Sequence, residues 1–147
     1  MRSLATTSSD CHNEAEVVID TSALLAVLLG EAEATRFVNA ILADPTRRVG
    51  AATLVEAAAV MMSRKGPQGP IALDALLQRL SIDVISMTAD AAAFARSAYA
   101  RWGRGVGTPG VLNFGDCLAY GVAMAEGEQL LFKGEDFPHT DVARALY

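Results

Sequence analysis

The order in which apolar runs and helical patterns succeed one another limits the fold more than any other feature of this chain. Residues 17–19, 47–50, 82–86 and 129–132 are short β-prone segments, and the stretches between them repeat apolar residues at three- and four-residue spacing. Strands separated by helices cannot close as hairpins. They pair in parallel through crossovers, and the crossover helices cover the faces of the sheet. The expected fold class is therefore α/β, a three-layer α/β/α fold with a central parallel sheet of four or five strands.

The helical stretches have legible ends. Asp20-Thr21-Ser22 can cap a helix beginning near Ala23, Gly30 separates it from a second helix over 31–43, and Asp44-Pro45 ends that one. Further helices are expected over 51–65, about 70–80, 88–102 and from Asn113 or Phe114 to Glu126, where Gly127 stops the last. Residues 103–110, GRGVGTPG, must form an irregular loop, and the segment after Lys133 carries no clear period. A chain of 147 residues with no internal linker is one domain, here 17–147, preceded by a polar, flexible extension over 1–16.

Bulk properties exclude several classes. A net charge of -5 is the wrong overall sign for a broad basic face that grips nucleic acid, but the distribution decides rather than the sum, since an acidic metal cluster lowers the total while local arginines still meet phosphates. Cys11 and Cys117 have no redox or metal spacing, which fits a reduced, cytoplasmic protein. The N-terminus lacks the pattern of a secretory signal, and no apolar run approaches the length of a membrane span. His12 and His139 lack zinc spacing, and no Ser, His and Asp set for acyl transfer emerges.

Acids placed just after strands are the candidates for chemistry, because open parallel sheets bind ligands beyond the carboxyl ends of their strands. Asp20 follows the first strand, Asp136 follows the last, Asp116 lies in the first turn of the helix feeding that last strand, and Glu56 sits in the helix after the second. Each has an ordinary alternative. Asp20 and Asp116 suit helix caps, and Glu56, in the otherwise apolar stretch 51–60, needs a partner that a salt bridge supplies as well as a cation does.

Three motifs resemble those of PIN-domain toxins of the VapC group. Val18-Ile19-Asp20-Thr21-Ser22-Ala23-Leu24 looks like the opening motif, and Leu112-Asn113-Phe114-Gly115-Asp116-Cys117-Leu118-Ala119-Tyr120 like the third acidic motif. Leu130-Leu131-Phe132-Lys133-Gly134-Glu135-Asp136-Phe137, with Thr140-Asp141 behind it, resembles the closing motif, and the likeness runs from Val17 to about Val142. The resemblance implies a PIN fold and the toxin of a VapBC-type toxin and antitoxin system. It implies a metal-dependent endoribonuclease using Mg²⁺ or Mn²⁺, a homodimer, and a VapB-type antitoxin as partner. It places the catalytic, metal-binding acids at Asp20, Glu56, Asp116 and Asp136, with Glu135 and Asp141 flanking the last as possible substitutes or assistants. The leading 16 residues depart from the family pattern.

Such a set suits a hard cation: Mg²⁺ takes oxygen ligands, keeps several waters, and lowers the pKa of one of them for attack on phosphorus. Thr21, Ser22 and Asn113 are supporting residues, as caps or as hydrogen-bond partners of a ligand carboxylate or its water. Arg101 and Arg104, with Arg96 and Trp102 near them, are candidates for contact with the RNA substrate, against the common alternative of solvated surface charge. Lys133 is a counter-charge for the acids. The apolar stripes of 51–65 and 70–80 serve as core, as an oligomer contact, or as a groove for an antitoxin segment. Two rival functions follow from the same features: a Mg²⁺-binding, receiver-like phosphoacceptor switch, and a PIN scaffold without catalysis. The lone acid ending strand one and the sequence Ile82-Asp83-Val84-Ile85-Ser86 disfavour the first, and the full set of acids disfavours the second.

Overall fold

Parallel pairing fixes everything else in the architecture. In the computed structural model, which describes residues 16–147, β1 (Val17–Ile19) pairs in parallel with β2 (Arg47–Gly50) on one side and β4 (Gln129–Leu131) on the other. β3 (Asp83–Ile85) joins β2, giving the order β3-β2-β1-β4. The chain steps outward from β1 to β3 and then returns to the far side of β1. The sheet order therefore reverses between β1 and β4, and a crevice opens beyond the carboxyl ends of those two strands. The expected 1–16 extension lies, but for Glu16, outside the described residues, and the Glu16 carbonyl already accepts from the Gln129 N–H at 3.2 Å.

Strand periodicity separates two cores. Val17, Ile19 and Leu131 face one layer, built from α1 (Thr21–Leu28), α2 (Ala34–Ala43), α3 (Ala51–Lys65) and α4 (Gln68–Arg79). Val18, Leu130 and Phe132 face the other, built from α5 (Ala89–Trp102) and α6 (Phe114–Glu126). This is the three-layer α/β/α arrangement, with four strands. With few aromatics, the second core relies on alanine: Ala91, Ala95 and Ala98 of α5 meet Ala119 and Ala123 of α6. Gly121 permits the approach, since a Cβ there would stand 2.3 Å from the Ala91 carbonyl oxygen.

Some boundaries differ from expectation for local reasons. α2 starts at Ala34 rather than 31, and Glu31 and Glu33, in the turn before it, pair with the Lys133 ammonium. α4 starts at Gln68, so Pro70 sits in its first turn, where the missing N–H has no intrahelical partner to lose. The tail without a period forms a 3-10 turn at Phe137–His139 and then runs along β4, where the Leu130 N–H donates to the Ala143 carbonyl at 2.8 Å and the Ala145 N–H to the Leu130 carbonyl at 3.0 Å. That single bridge protects an otherwise bare edge. Among the described residues no helix is long and apolar enough to cross a membrane.

Candidate active site

Asp20 leaves β1 at the crevice and caps α1. Its N–H continues the ladder to the Leu131 carbonyl at 2.9 Å, which fixes the backbone beside β4. Its Oδ2 accepts from the Ser22 N–H at 3.0 Å and the Ser22 hydroxyl at 2.6 Å. The same hydroxyl accepts from the Lys133 N–H at 2.9 Å, so one serine ties the ends of both central strands to one carboxylate. Both bonds fall on Oδ2, leaving Oδ1 as the donor for a ligand. Thr21 turns elsewhere: its hydroxyl donates to the Thr53 carbonyl at 3.4 Å, linking α1 to the helix that carries Glu56.

Asp116 lies in the first turn of α6, in a reciprocal cap. The Asn113 N–H donates to Asp116 Oδ2 at 2.9 Å and the Asp116 N–H to Asn113 Oδ1 at 2.8 Å. Capping therefore uses one carboxylate oxygen and leaves the other. Glu56 reaches α6 one residue earlier: a Cβ on Gly115 would stand 1.5 Å from Glu56 Oε2, so the carboxylate occupies the place of the missing side chain. None of the ion pairs among the described residues involves Glu56. Asp136 precedes the 3-10 turn and lies 3.6 Å from Arg104 Nη2.

The electrostatics register this convergence. Burial first, and then the charges of Asp116 and Glu56, push the Asp20 carboxyl up from 3.8 to about 7, against the lowering effect of Ser22. Burial also lifts Asp116 to about 6, opposed by the Asn113 N–H and reinforced by Asp136 and Glu56. Four acids from four separate segments thus share one field, in which like charges disfavour full ionisation. Among the described residues no three of them are drawn to coordinating distance around one point. The donor set nevertheless fits a hard divalent cation: oxygen ligands only, a buried carboxyl held near neutrality, and a glycine cradle that admits Glu56.

The flanking residues sort differently from the sequence reading. Lys133 is no counter-charge for the acids, because its ammonium pairs with Glu31 and lies 3.0 Å from Glu33 Oε2. Glu135 stays exposed, while Asp141 accepts from the Tyr120 hydroxyl at 2.6 Å and lies 3.7 Å from Arg101 Nη1. Arg101 covers the Trp102 ring at 4.0 Å. The glycine-rich loop folds tightly, with Arg104 Nε donating to the Val111 carbonyl at 3.2 Å, and so holds that guanidinium beside Asp136. Sequence reasoning overlooked Gly115 and Tyr120. Their signal was position alone, one residue before Asp116 and one turn after it.

A PIN domain family profile matches residues 17–143. Ribonuclease VapC30 of Mycobacterium tuberculosis is 47% identical over 127 residues, spanning 86% of this chain and 96% of that protein. Ribonuclease VapC28 of the same species is 43% identical over 130 residues, spanning 88% of this chain and 98% of that one. The crystal structure of M. tuberculosis VapC20, a Sarcin-Ricin loop cleaving toxin, superposes with a TM-score of 0.69 at 19% identity, covering 87% of this chain and 97% of that chain. VapBC2 from Rickettsia felis, bound to a promoter DNA fragment, gives 0.66 at 16% identity over 87% and 95% of the two chains. At such identity these two structures bear on the fold alone.

Proposed function

The chain belongs to the PIN-domain family and, within it, to the VapC ribonucleases, and from that membership we propose that it cleaves RNA at the crevice served by Asp20, Glu56, Asp116 and Asp136. One observation carries the assignment of the site: the Asp20 carboxyl, buried and fixed between β1 and β4 through Ser22, has no basic side chain paired with it among the described residues. A group in that state binds either a proton or a cation. Asp20, Asp116, Glu56 and Asp136 would hold the divalent ion, Mg²⁺ or Mn²⁺. Such an ion supplies Lewis acidity and a water of lowered pKa for phosphodiester hydrolysis.

The protein's own residues prepare the site. Ser22 orients Asp20 and keeps its second oxygen available, and the Asn113 cap does the same for Asp116. Arg104, beside Asp136, is placed to meet a backbone phosphate of the RNA, while Arg101 is held on Trp102 and Asp141 at the same rim. The partner proposed from family membership is a VapB-type antitoxin. The second partner is another copy of the chain, supported by an apolar hollow of about 520 Å³ between α5 and α6, lined by Met87, Tyr99, Val106, Phe114 and Leu118. Phe114 is 73% exposed there, and such a patch marks an association surface more often than a free one. Sedimentation should report a dimer that Val106→Asp dissociates.

The deciding experiment replaces Asp20 or Asp116 by Asn. Either change should abolish Mg²⁺-dependent cleavage of RNA and the growth arrest caused by expression. Cleavage that persists in chelator would overturn the reading. The receiver-like alternative has lost its lysine, which Glu31 and Glu33 occupy.

A further inference from the structure

The two acids that flank the fourth position do different work, and the difference brings Tyr120 into the machinery. Tyr120 lies on α6 one turn beyond Asp116 and is buried. Its ring meets Trp102 edge-on at 5.7 Å between centroids. Its hydroxyl donates to Asp141 Oδ1 at 2.6 Å, while Asp141 Oδ2 lies 3.7 Å from Arg101 on α5. Both oxygens of Asp141 are thus engaged by the helix layer that carries Asp116.

The chain between Asp136 and Asp141 has little freedom. It forms the 3-10 turn Phe137–His139, and Thr140 closes it through its N–H and hydroxyl, which donate to the Phe137 carbonyl at 2.9 and 2.7 Å. The Val142 N–H then donates to the Thr140 hydroxyl at 3.3 Å. Phe137 is buried against Phe132, with centroids 4.8 Å apart. A tether on Asp141 therefore reaches Asp136 through a rigid segment. Burial, with the Asp141 bond, pushes the Tyr120 phenol well above its ordinary pKa, so it stays a donor.

We propose that Tyr120 is a positioning residue: through its hydrogen bond to Asp141 it fixes the segment bearing Asp136 against the helix bearing Asp116, and Asp141 is the strut of this arrangement rather than a cation ligand. The proposal rests on the ribonuclease reading of the acidic crevice. Its consequence is that the placing of the third and fourth carboxylates depends on an atom that touches neither cation nor RNA.

Titration calorimetry and the electron paramagnetic resonance of Mn²⁺ test this on the full chain, below the melting temperature of each variant. Tyr120→Phe should weaken Mn²⁺ binding by about 10- to 100-fold, as loss of a residue supporting a ligand does. Asp141→Asn, whose amide oxygen still accepts from the phenol, should bind Mn²⁺ as the unaltered protein does. Asp141→Leu should match Tyr120→Phe, and the double variant should be no worse than either alone. Unchanged Mn²⁺ affinity in Tyr120→Phe overturns the proposal, even if its melting temperature falls. So does an Asp141→Asn variant as defective as Asp136→Asn, which would make Asp141 a ligand. If Tyr120→Phe does not fold, the contrast between Asp141→Asn and Asp141→Leu decides. An unaltered protein that binds no Mn²⁺ sinks the acidic-site reading, and this proposal with it. Normal binding there, with undiminished affinity in Tyr120→Phe, sinks only the proposal.

Discussion

The Glu56 carboxylate stands where a side chain at position 115 would be: a Cβ on Gly115 would lie 1.5 Å from Oε2 and 2.4 Å from Cδ. Those atoms are the end of a flexible side chain, so Gly115→Ala moves the acid rather than breaking the fold. The substitution also removes a glycine from the first turn of α6, where alanine is the better helix former by about 1 kcal/mol. Gly115→Ala should therefore melt within a few degrees of the unaltered protein while losing cleavage by roughly 10- to 100-fold, the scale of a disturbed metal support. Thermal melts beside initial cleavage rates check both halves, and a variant of full activity would show that Glu56 has no fixed place to keep.

Protons and cations compete for the same crevice, and the sign of that competition is fixed by the raised carboxyls. Asp20, near 7, and Asp116, near 6, hold protons in the folded protein that the unfolded chain releases around 3.8. Where the folded state binds more protons, stability falls as pH rises. In chelator the protein should lose stability between about pH 4 and 7 and level off above that. Glu128, raised chiefly by its own burial against the pull of Arg48, adds a change of the same sign at the amino-terminal ends of the strands. Mg²⁺ should reverse only the part that belongs to the crevice. At 100 times its Kd it stabilises by about 2.7 kcal/mol. Melting curves across this range, with and without Mg²⁺, separate the two, and in Asp20→Asn the response to Mg²⁺ should vanish.

Much of this site was legible in the sequence because its parts are local. Asp20 caps the helix that follows it and Asp116 completes the cap of the helix it lies in, so their positions are set by residues two or three away, Ser22 and Asn113. The β2 and α3 boundaries also follow from short-range pattern. Long-range pairing is what the sequence concealed. The partners of Lys133 lie about a hundred residues earlier, in a stretch that reads as the start of a helix and forms a turn instead. The strut between Tyr120 and Asp141 depends on a tail without periodicity. The sequence marks Glu56 as an acid in an apolar stretch, but its place against Gly115 comes only from folding.

Ser22 is the shared joint of the two central strands, so its removal should reach the chemistry through Asp20. Its hydroxyl is among the influences that lower the Asp20 carboxyl, and Ser22→Ala deletes it along with the link to the Lys133 N–H. The carboxyl should then hold its proton more tightly, and the rise of cleavage with pH should move to the alkaline side with roughly 10- to 100-fold lower activity at neutral pH. Ser22→Thr keeps the hydroxyl and should restore the profile. A slower rate without displacement of the profile would mean that Ser22 acts on the backbone of α1 alone.

Arg104 lies beside Asp136, and the proposed function gives it a second role as a contact for the RNA. Its pair with Asp136, at 3.6 Å and largely exposed, contributes little to stability, so Arg104→Gln should leave the melting temperature nearly unchanged. Binding is another matter. On the proposed reading, a cation that takes up Asp136 would leave the guanidinium available to a backbone phosphate. Neutralising one phosphate fewer reduces the slope of log affinity against log salt by about 0.7 for a single strand. Measured on Asp20→Asn, which should bind RNA without cutting it, Arg104→Gln should reduce the slope by about that amount. Arg79→Gln, at the end of α4 in the opposite layer, should leave it unchanged. Equal slopes for the two would remove Arg104 from the RNA-binding surface and leave it as a guard on Asp136 alone.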